Sequence, residues 1–278
     1  MPGDAPHTPG RLFVVSTPIG NLEDITLRAL RVLREADLIA AEDTRHTRKL
    51  LAHFDIHTPL TGFYQHRQFR QAPELVSRML DGANLALVTD AGTPGISDPG
   101  AVLVRLAIEA GLQATPVPGP AAAIALLSVS GLDSHAFVFE GFLPIKPGRK
   151  RRVLEGLARE KRTLIFYESP HRLAKTLALM LEVLGDRPAA VGRELTKVFE
   201  EITRGTLSAA HERYRDKTIK GELTIAVAGF AGAPRAEFAD EAPSDDTPDD
   251  DACEPGASVD DEDPVSGQPD PPPSPAAR

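Results

Sequence analysis

The stretch Leu85-Ala86-Leu87-Val88-Thr89-Asp90-Ala91-Gly92-Thr93-Pro94-Gly95-Ile96-Ser97-Asp98-Pro99-Gly100 decides the fold. Its first four residues form a short apolar run that reads as a buried strand. Residues 101–107, Ala-Val-Leu-Val-Arg-Leu-Ala, read as a helix. The segment between is therefore a strand-to-helix loop. In open α/β sheets such loops, at the carboxyl ends of strands, carry the ligand sites. Gly92, Gly95 and Gly100 allow close backbone approach or positive φ, while Pro94 and Pro99 remove donors and pin φ. Asp98-Pro99 reads as a helix N-cap followed by proline at the first helical position. A tight turn built for geometry alone is the plainer alternative.

Working outward, residues 11–16, 37–41, 58–64 and 113–117 read as further strands. Asp24 is expected to cap a helix bearing Ile25, Leu27, Leu30, Val32 and Leu33; others open at 42–49, 72–81 and 121–130. Strands alternating with helices of ordinary length argue for parallel βαβ units. Residues 131–147 hold few helix formers, include Gly141, Pro144 and Pro147, and mark a domain boundary. Beyond it come a basic helix within 146–162, strands at 163–167, 189–192, 198–203 and 223–228, and helices at 173–184 and 207–214. The expected fold class is α/β, with two α/β domains at 11–131 and 132–230. Residues 1–10 and 231–278 are expected to be disordered, the latter rich in Pro, Asp, Ser and Ala with almost no large apolar side chains.

The charge is divided. Residues 231–278 carry −12 (14 acidic, two basic), which leaves +3 on residues 1–230 out of a total of −9. The body is thus mildly basic and compatible with a phosphate-bearing partner. The single cysteine, Cys253, excludes a disulfide framework or a cysteine metal site within one chain and fits a reducing cytoplasm. The first residues lack the basic and apolar regions of a secretory leader. No apolar run reaches the roughly 18 residues of a membrane helix, so no membrane partner is expected.

Four loops follow strands of the first half, at 17–21, 42–49, 89–100 and 118–121, and could line one crevice. The second half adds Glu168–Arg172 and Arg193–Lys197, also after strands, so a cleft between the domains is the natural ligand site. No Walker loop, no Gly-x-Gly-x-x-Gly after the first strand and no Gly-x-Ser-x-Gly elbow occurs. His53 and His57 lie four apart but bracket a turn, and no metal site is expected. His171 with Arg172 could position a phosphate or simply start a helix. Arg193, Glu194 and Lys197 could meet substrate or form an ion-pair set at a domain seam. The basic run is either a solvated face or a phosphate contact.

Seven segments now stand in order: Thr17-Pro18-Ile19-Gly20-Asn21-Leu22-Glu23-Asp24-Ile25-Thr26, Glu42-Asp43-Thr44-Arg45, the 89–100 loop, Pro118-Gly119-Pro120-Ala121, Phe166-Tyr167-Glu168-Ser169-Pro170-His171-Arg172, Arg193-Glu194-Leu195-Thr196-Lys197 and Gly221-Glu222-Leu223-Thr224. Together, over residues 10–230, they closely resemble the bacterial small-subunit ribosomal RNA 2′-O-methyltransferases that act on a cytidine at the decoding centre, a branch of the tetrapyrrole-methylase-like superfamily. The resemblance implies two α/β domains with S-adenosylmethionine (SAM) in the cleft between them, a homodimer, a cytoplasmic location and the 16S rRNA of the small subunit as partner. Tetrapyrrole members carry a Gly-x-Gly-x-Gly-Asp loop after the first strand. Here Ser16-Thr17-Pro18-Ile19-Gly20-Asn21 stands there, which argues against a porphyrin substrate.

By the same resemblance Gly92, Thr93, Pro94, Ile96, Gly119, Pro120 and Ala121 should contact the cofactor, with Ile19 and Tyr167 beside them. A sulfonium carrying an adenosine needs an apolar slot and backbone acceptors without a fixed cation, which Gly, Pro and Ala loops provide. The implied reaction is in-line methyl transfer to a ribose hydroxyl, whose main demand is alignment. A base would assist, and Glu42, Asp43, Glu168, His171, Glu194 and Lys197 are the candidates, between which the sequence does not choose. Arg45, Arg149, Lys150, Arg172 and Arg193 could hold the RNA phosphates. Two rivals are a small-molecule (corrinoid or porphyrin type) or protein-modifying (diphthine type) methyltransferase of the same superfamily, and an RNA-binding module without catalysis.

Overall fold

The computed structural model describes residues 8–231. The expectations for 1–10 and 231–278 fall almost wholly outside that range. Gly10, which is inside it, is fixed, its N–H donating to the Met79 carbonyl at 2.8 Å.

Strands β1 (Arg11–Val15), β2 (Leu38–Ala41), β3 (Leu60–Gly62), β4 (Leu85–Val88) and β5 (Gln113–Val117) form one sheet in the order β3-β2-β4-β1-β5. Every pairing in it is parallel. The β4 run Leu-Ala-Leu-Val is continuously apolar because both faces are covered. Leu85 and Leu87 pack with Leu75 and Met79 of α3 (Gln68–Leu80) and Leu103 of α4 (Ala101–Glu109). Ala86 and Val88 face the other way, toward Leu33 of α1 (Leu27–Glu35) and Leu51 of α2 (Thr44–His53). Neighbouring β1 and β2 alternate in the same sense, which pins the register: a one-residue slip would exchange the two faces.

A second sheet has the order β6-β7-β10-β8-β9, from β6 (Phe137–Phe142), β7 (Thr163–Glu168), β8 (Pro188–Arg193), β9 (Glu201–Thr206) and β10 (Leu223–Val227). It is mixed: β6 and β7 run parallel, and β10 is antiparallel to both β7 and β8. Leu223, Ile225 and Val227 of the central β10 face a core built with α6 (Pro147–Gly156), α7 (Leu173–Leu184) and α8 (Leu207–Tyr214). On the other face, Ala226 and Ala190 meet Leu126 of α5 (Ala122–Ser130). Helix α5 follows the last strand of the first sheet yet packs on the second, so it ties the two sheets together. The Arg193–Lys197 segment also reaches across. A Cβ on Gly20 would lie 2.3 Å from Lys197 Cγ.

Four local expectations change. Asp24 ends a short 3-10 turn, and Thr26 caps α1 instead, its hydroxyl accepting from Ala29 N–H at 3.0 Å. Asp98 does not cap α4. That helix starts at Ala101 behind Gly100, whose φ of +142° turns the chain before the first helical residue. The 131–147 segment contains a strand, β6, interrupted by a bulge between Phe139 and Gly141. The strand expected at 198–203 begins only at Glu201, and Val198 and Phe199 are exposed.

Candidate functional site

The carboxyl ends of β1, β2 and β4 and the start of α5 face the carboxyl end of β7 and the start of β10. Between them lies a cavity of about 320 Å3. The first sheet contributes Ile19, Glu42, Asp90–Thr93, Ile96–Asp98, Ala121 and Ala122; the second contributes Phe142, Tyr167–Pro170, Leu195 and Gly221–Thr224. No Lys, Arg or His is among these lining residues.

The loops are knitted rather than merely adjacent. Thr17 and Gly92 exchange two backbone hydrogen bonds, 2.9 and 3.0 Å, as an isolated β-bridge. Gly92 needs a φ of +82° to do so, a conformation costly for any residue with a Cβ. Thr17 Oγ1 donates to the Thr89 carbonyl at 3.1 Å, and Ser16 and Thr93 hydroxyls pair at 2.8 Å. From the second sheet, the Tyr167 hydroxyl accepts from Ala123 N–H at 3.2 Å, in the first turn of α5. Phe139 and Phe142 pack edge-on against the Tyr167 ring.

Of the residues expected to hold a cofactor, Ile19, Gly92, Thr93, Ile96, Ala121 and Tyr167 line the cavity. Pro94, Gly119 and Pro120 do not; Pro94 is buried behind the loop and Gly119 is exposed. Of the candidate bases, Glu42 and Glu168 line it. Asp43 instead caps α2 and grips Arg45, which holds its carboxyl far below the usual range. His171 is exposed and outside the lining. Glu194 and Lys197 sit at the rim: Lys197 Nζ donates to Glu194 Oε1 at 2.9 Å and to Glu222 Oε2 at 3.0 Å. Burial works to raise the Glu194 carboxyl, but Lys197 and the Glu222 N–H outweigh it and the carboxyl is lowered.

One expectation is corrected. Lys150 is not on a phosphate-facing surface: its side chain is 8% exposed, and Nζ reaches Thr176 Oγ1 at 2.6 Å and Glu168 Oε2 at 3.4 Å. Glu168 is in turn saturated, accepting from Ser169 N–H at 2.8 Å and Thr176 Oγ1 at 2.6 Å and pairing with Arg172 as well as Lys150. Through these contacts Glu168 ties the end of β7 to α6 and α7. Arg172 and Arg193 are committed to Glu168 and Glu201, while Arg45, also bound to Asp43, and Arg149 are exposed.

The sequence reading missed the acidity of the cavity wall. Asp90 and Asp98 join Glu42 and Glu222 there. Asp43 N–H donates to Asp90 Oδ1 at 3.0 Å and Asp90 N–H to Glu42 Oε2 at 3.5 Å, which cross-links the loops after β2 and β4. Burial raises the Glu42 and Asp90 carboxyls, and Asp90 raises Glu42 further. Asp98 is pushed up to about 7, first by burial and then by Glu42, Asp90 and Glu222. The signal for these residues was their place in the loop after the central strand; the Asp-Pro pair masked Asp98 as a cap. Among the described residues, no group of three or more His, Cys, Asp or Glu is placed to hold a metal ion, and no helix is long and apolar enough to cross a membrane.

The comparisons with known proteins fit this architecture. The uroporphyrin III C-methyltransferase of Thermus thermophilus superposes with a TM-score of 0.57 at 20% identity, over 78% of this chain and 97% of that one. A second crystal structure of that enzyme, complexed with S-adenosylhomocysteine, gives 0.56 at 20% identity over the same shares. These show the shared fold. In sequence, the ribosomal RNA small subunit methyltransferase I of Xylella fastidiosa is 51% identical over 234 residues, 83% of this chain and 86% of its own. The protein of that name in Pseudomonas aeruginosa is 50% identical, over 82% of each chain. The profile of the Tetrapyrrole (Corrin/Porphyrin) Methylases matches residues 11–211, and the chain belongs to that family, in the group with the proteins named ribosomal RNA small subunit methyltransferase I.

Proposed function

We propose that this protein transfers a methyl group from SAM to the ribose 2′-hydroxyl of a cytidine at the decoding centre of 16S rRNA. The observation that carries the reading is the 51% identity, over most of both chains, with a protein named for methylation of small-subunit ribosomal RNA. The cavity supports the choice of cofactor. Its walls combine apolar Ile19, Ile96 and Leu195 with close-approach backbone at Gly92 and Ala121, and its charge is negative, which suits a sulfonium. When bound, SAM supplies a methyl carbon already activated by the positive sulfur.

What remains for the chain is alignment, exclusion of water and handling of one proton. Gly92, Thr93 and Ala121 would hold the cofactor through their backbone, and Ile19, Ile96 and Tyr167 would enclose it. Exposed Arg45 and Arg149 would meet phosphates on either side of the target nucleotide. That nucleotide must be unstacked to enter the cleft. Exposed Ile108, Ile124 and Val129 support a homodimer, and the site of action would be the cytoplasm.

The test is methyl transfer from labelled SAM to small ribosomal subunits that lack the modification, followed by mapping of the label. A 2′-O-methylcytidine at the decoding centre is expected. Label elsewhere in the rRNA would refute the nucleotide. Cofactor binding without RNA labelling would refute the substrate class and turn attention to small-molecule or protein acceptors.

A further inference from the structure

Strands β8 and β9 form a hairpin whose last pair is Arg193 with Glu201. Its tip, residues 194–200, stands at the mouth of the cavity. Leu195 is buried and lines the wall, and Lys197 Nζ spans Glu194 and Glu222 at the rim. Two successive turns build the tip: Lys197 N–H donates to the Glu194 carbonyl and Glu200 N–H to the Lys197 carbonyl, both at 3.0 Å. Glu194 and Thr196 have φ of +51° and +67°, two of the four non-glycine residues with positive φ among the described residues. Such strain persists only where the surroundings over-determine it. Here they do. Glu194 N–H donates to the Glu222 carbonyl at 3.0 Å, Glu222 N–H returns to Glu194 Oε1 at 2.9 Å, and Thr196 N–H donates to Glu200 Oε2 at 2.6 Å. Toward the first sheet, a Cβ on Gly20 would stand 3.0 Å from Thr196 Oγ1.

What this pinned tip presents outward is apolar. Val198 and Phe199, the central pair of the second turn, are 94% and 72% exposed. Apolar side chains scattered singly over a surface need no account. Two adjacent ones, held on a strained turn at the cavity mouth, do. The charges beside them do not invite a phosphate: Lys197 is held by Glu194 and Glu222, and Arg193 and Arg213 are both held by Glu201. A phosphate finds no uncommitted cation among these, whereas the flat face of a nucleobase finds an aromatic ring. Two side chains are also far too small a patch for the core of a subunit interface, which takes about 800 Å2 per partner. They match the face of one base.

Deepening the function proposed above, and resting on it, we propose that Phe199 stacks on the base of an unpaired rRNA nucleotide adjoining the target cytidine. Taking a nucleotide out of its stack uncovers the faces of its neighbours, and a new stacking partner offsets that loss. A phenylalanine ring supplies one without choosing among bases, since every base has a π-face. It orders only two side-chain torsions in doing so. The pinned turns fix the ring relative to Leu195 in the cavity wall, so a base held on the ring sets how the next nucleotide enters the cleft.

The experiment uses the full chain as wild type, Phe199→Ala, Phe199→Leu and Phe199→Trp. Single-turnover methylation of small subunits that lack the modification is followed against subunit concentration, with SAM affinity by calorimetry and mass in solution by light scattering. Phe199→Ala should raise the half-saturating subunit concentration about 5- to 150-fold and leave SAM affinity and mass unchanged. Phe199→Trp should keep the wild-type value; Phe199→Leu, apolar but without a π-face, should not. Independently of transfer, p-benzoylphenylalanine placed at position 199 should crosslink on irradiation to rRNA nucleotides adjoining the target. The proposal is overturned if Phe199→Ala half-saturates within about twofold of wild type. It is also overturned if Phe199→Leu serves as well as Phe199→Trp, if SAM affinity falls in step, or if the crosslink misses the RNA beside the target. A change of mass would overturn it too, and would give the ring to a second copy of this chain. A wild type that labels no subunit sinks the function reading instead; the crosslink, which needs binding alone, then decides the stacking by itself.

Discussion

Asp98 illustrates what it costs to place one more carboxyl in an already acidic cavity wall. Its carboxyl, ordinarily near 3.8, is raised to about 7 in the folded chain. A group that binds its proton more tightly when folded adds stability at low pH, and that stability is lost as pH rises from about 4 through about 7. Asp98→Asn removes the charge and should stabilise the protein at pH 8 by about 1–2 kcal/mol, discounted for partial solvent exposure, with almost no effect at pH 4. Urea melts at the two pH values read this directly; equal effects at both would mean the carboxyl is not displaced. The Glu168 cluster poses the opposite case. Glu168→Gln leaves the Lys150 ammonium buried without its counter-charge and should cost about 3–5 kcal/mol. Lys150→Met should cost less, because Arg172 still pairs with Glu168, and the double variant should cost less than the sum. Strictly additive losses would show that the two side chains are not energetically coupled. Neither the burial of Lys150 nor the place of Asp98 in the cavity wall was legible in sequence. Lys150 reads as one of a basic run, and only the packing of α6 against α7 and β7 turns it inward. Asp98 reads as a cap because Asp-Pro so often starts a helix, and the φ of Gly100 is not written in local propensity.

At the scale of elements, what could be read was what repeats locally. The alternating faces of β1, β2 and β4 and the Gly- and Pro-rich loops after them place half of the cavity wall from sequence alone. The second sheet was less legible because its neighbours are remote in sequence: β10 pairs with β7 across two intervening helices and with β8 across β9 and α8. Strand β6 lies in the segment that reads as a domain boundary because Gly141, Pro144 and Pro147 punctuate it, yet the same Gly141 forms the bulge that receives Ser97. Helix α5 shows how an element can serve two sheets. Leu126 is fully buried beside Ile19 of the first loop and Leu195 of the rim segment. Leu126→Ala should cost about 2–5 kcal/mol and also weaken SAM binding, because the walls it supports lose their shared backing. Leu177→Ala, equally buried but on the far face of the second sheet, should cost a similar amount and leave affinity within about twofold. Calorimetric titration of both variants, at a temperature where each is folded, separates the two; matching losses of affinity would mean α5 has no special place.

The whole molecule is electrically divided, and the division bears on how it meets a polyanion. The cavity wall is acidic, residues 1–230 carry +3 in all, and residues 231–278 carry −12. An acidic wall suits a sulfonium but repels a phosphate chain, so under the proposed function phosphates would be met outside it, by exposed cations such as Arg45 and Arg149. Each phosphate contact releases counterions, so Arg149→Ala should weaken subunit binding and lower the slope of log affinity against log salt by about one. The −12 segment is expected to act on the same balance with opposite sign. A segment of that charge on the same chain would compete with phosphates for a basic face at a high effective concentration, and salt would screen both interactions. Deleting residues 231–278 should therefore raise affinity for small subunits and for unrelated RNA at about 50 mM salt, and the gain should shrink at about 300 mM as screening removes the competitor. Since the deletion leaves every residue of the cavity wall in place, SAM affinity should not change. Binding curves for both lengths across a salt series decide it: an affinity unchanged at low salt would mean the acidic segment does not contact the body. A gain that persists at high salt would mean that it blocks access by occupying space rather than by charge.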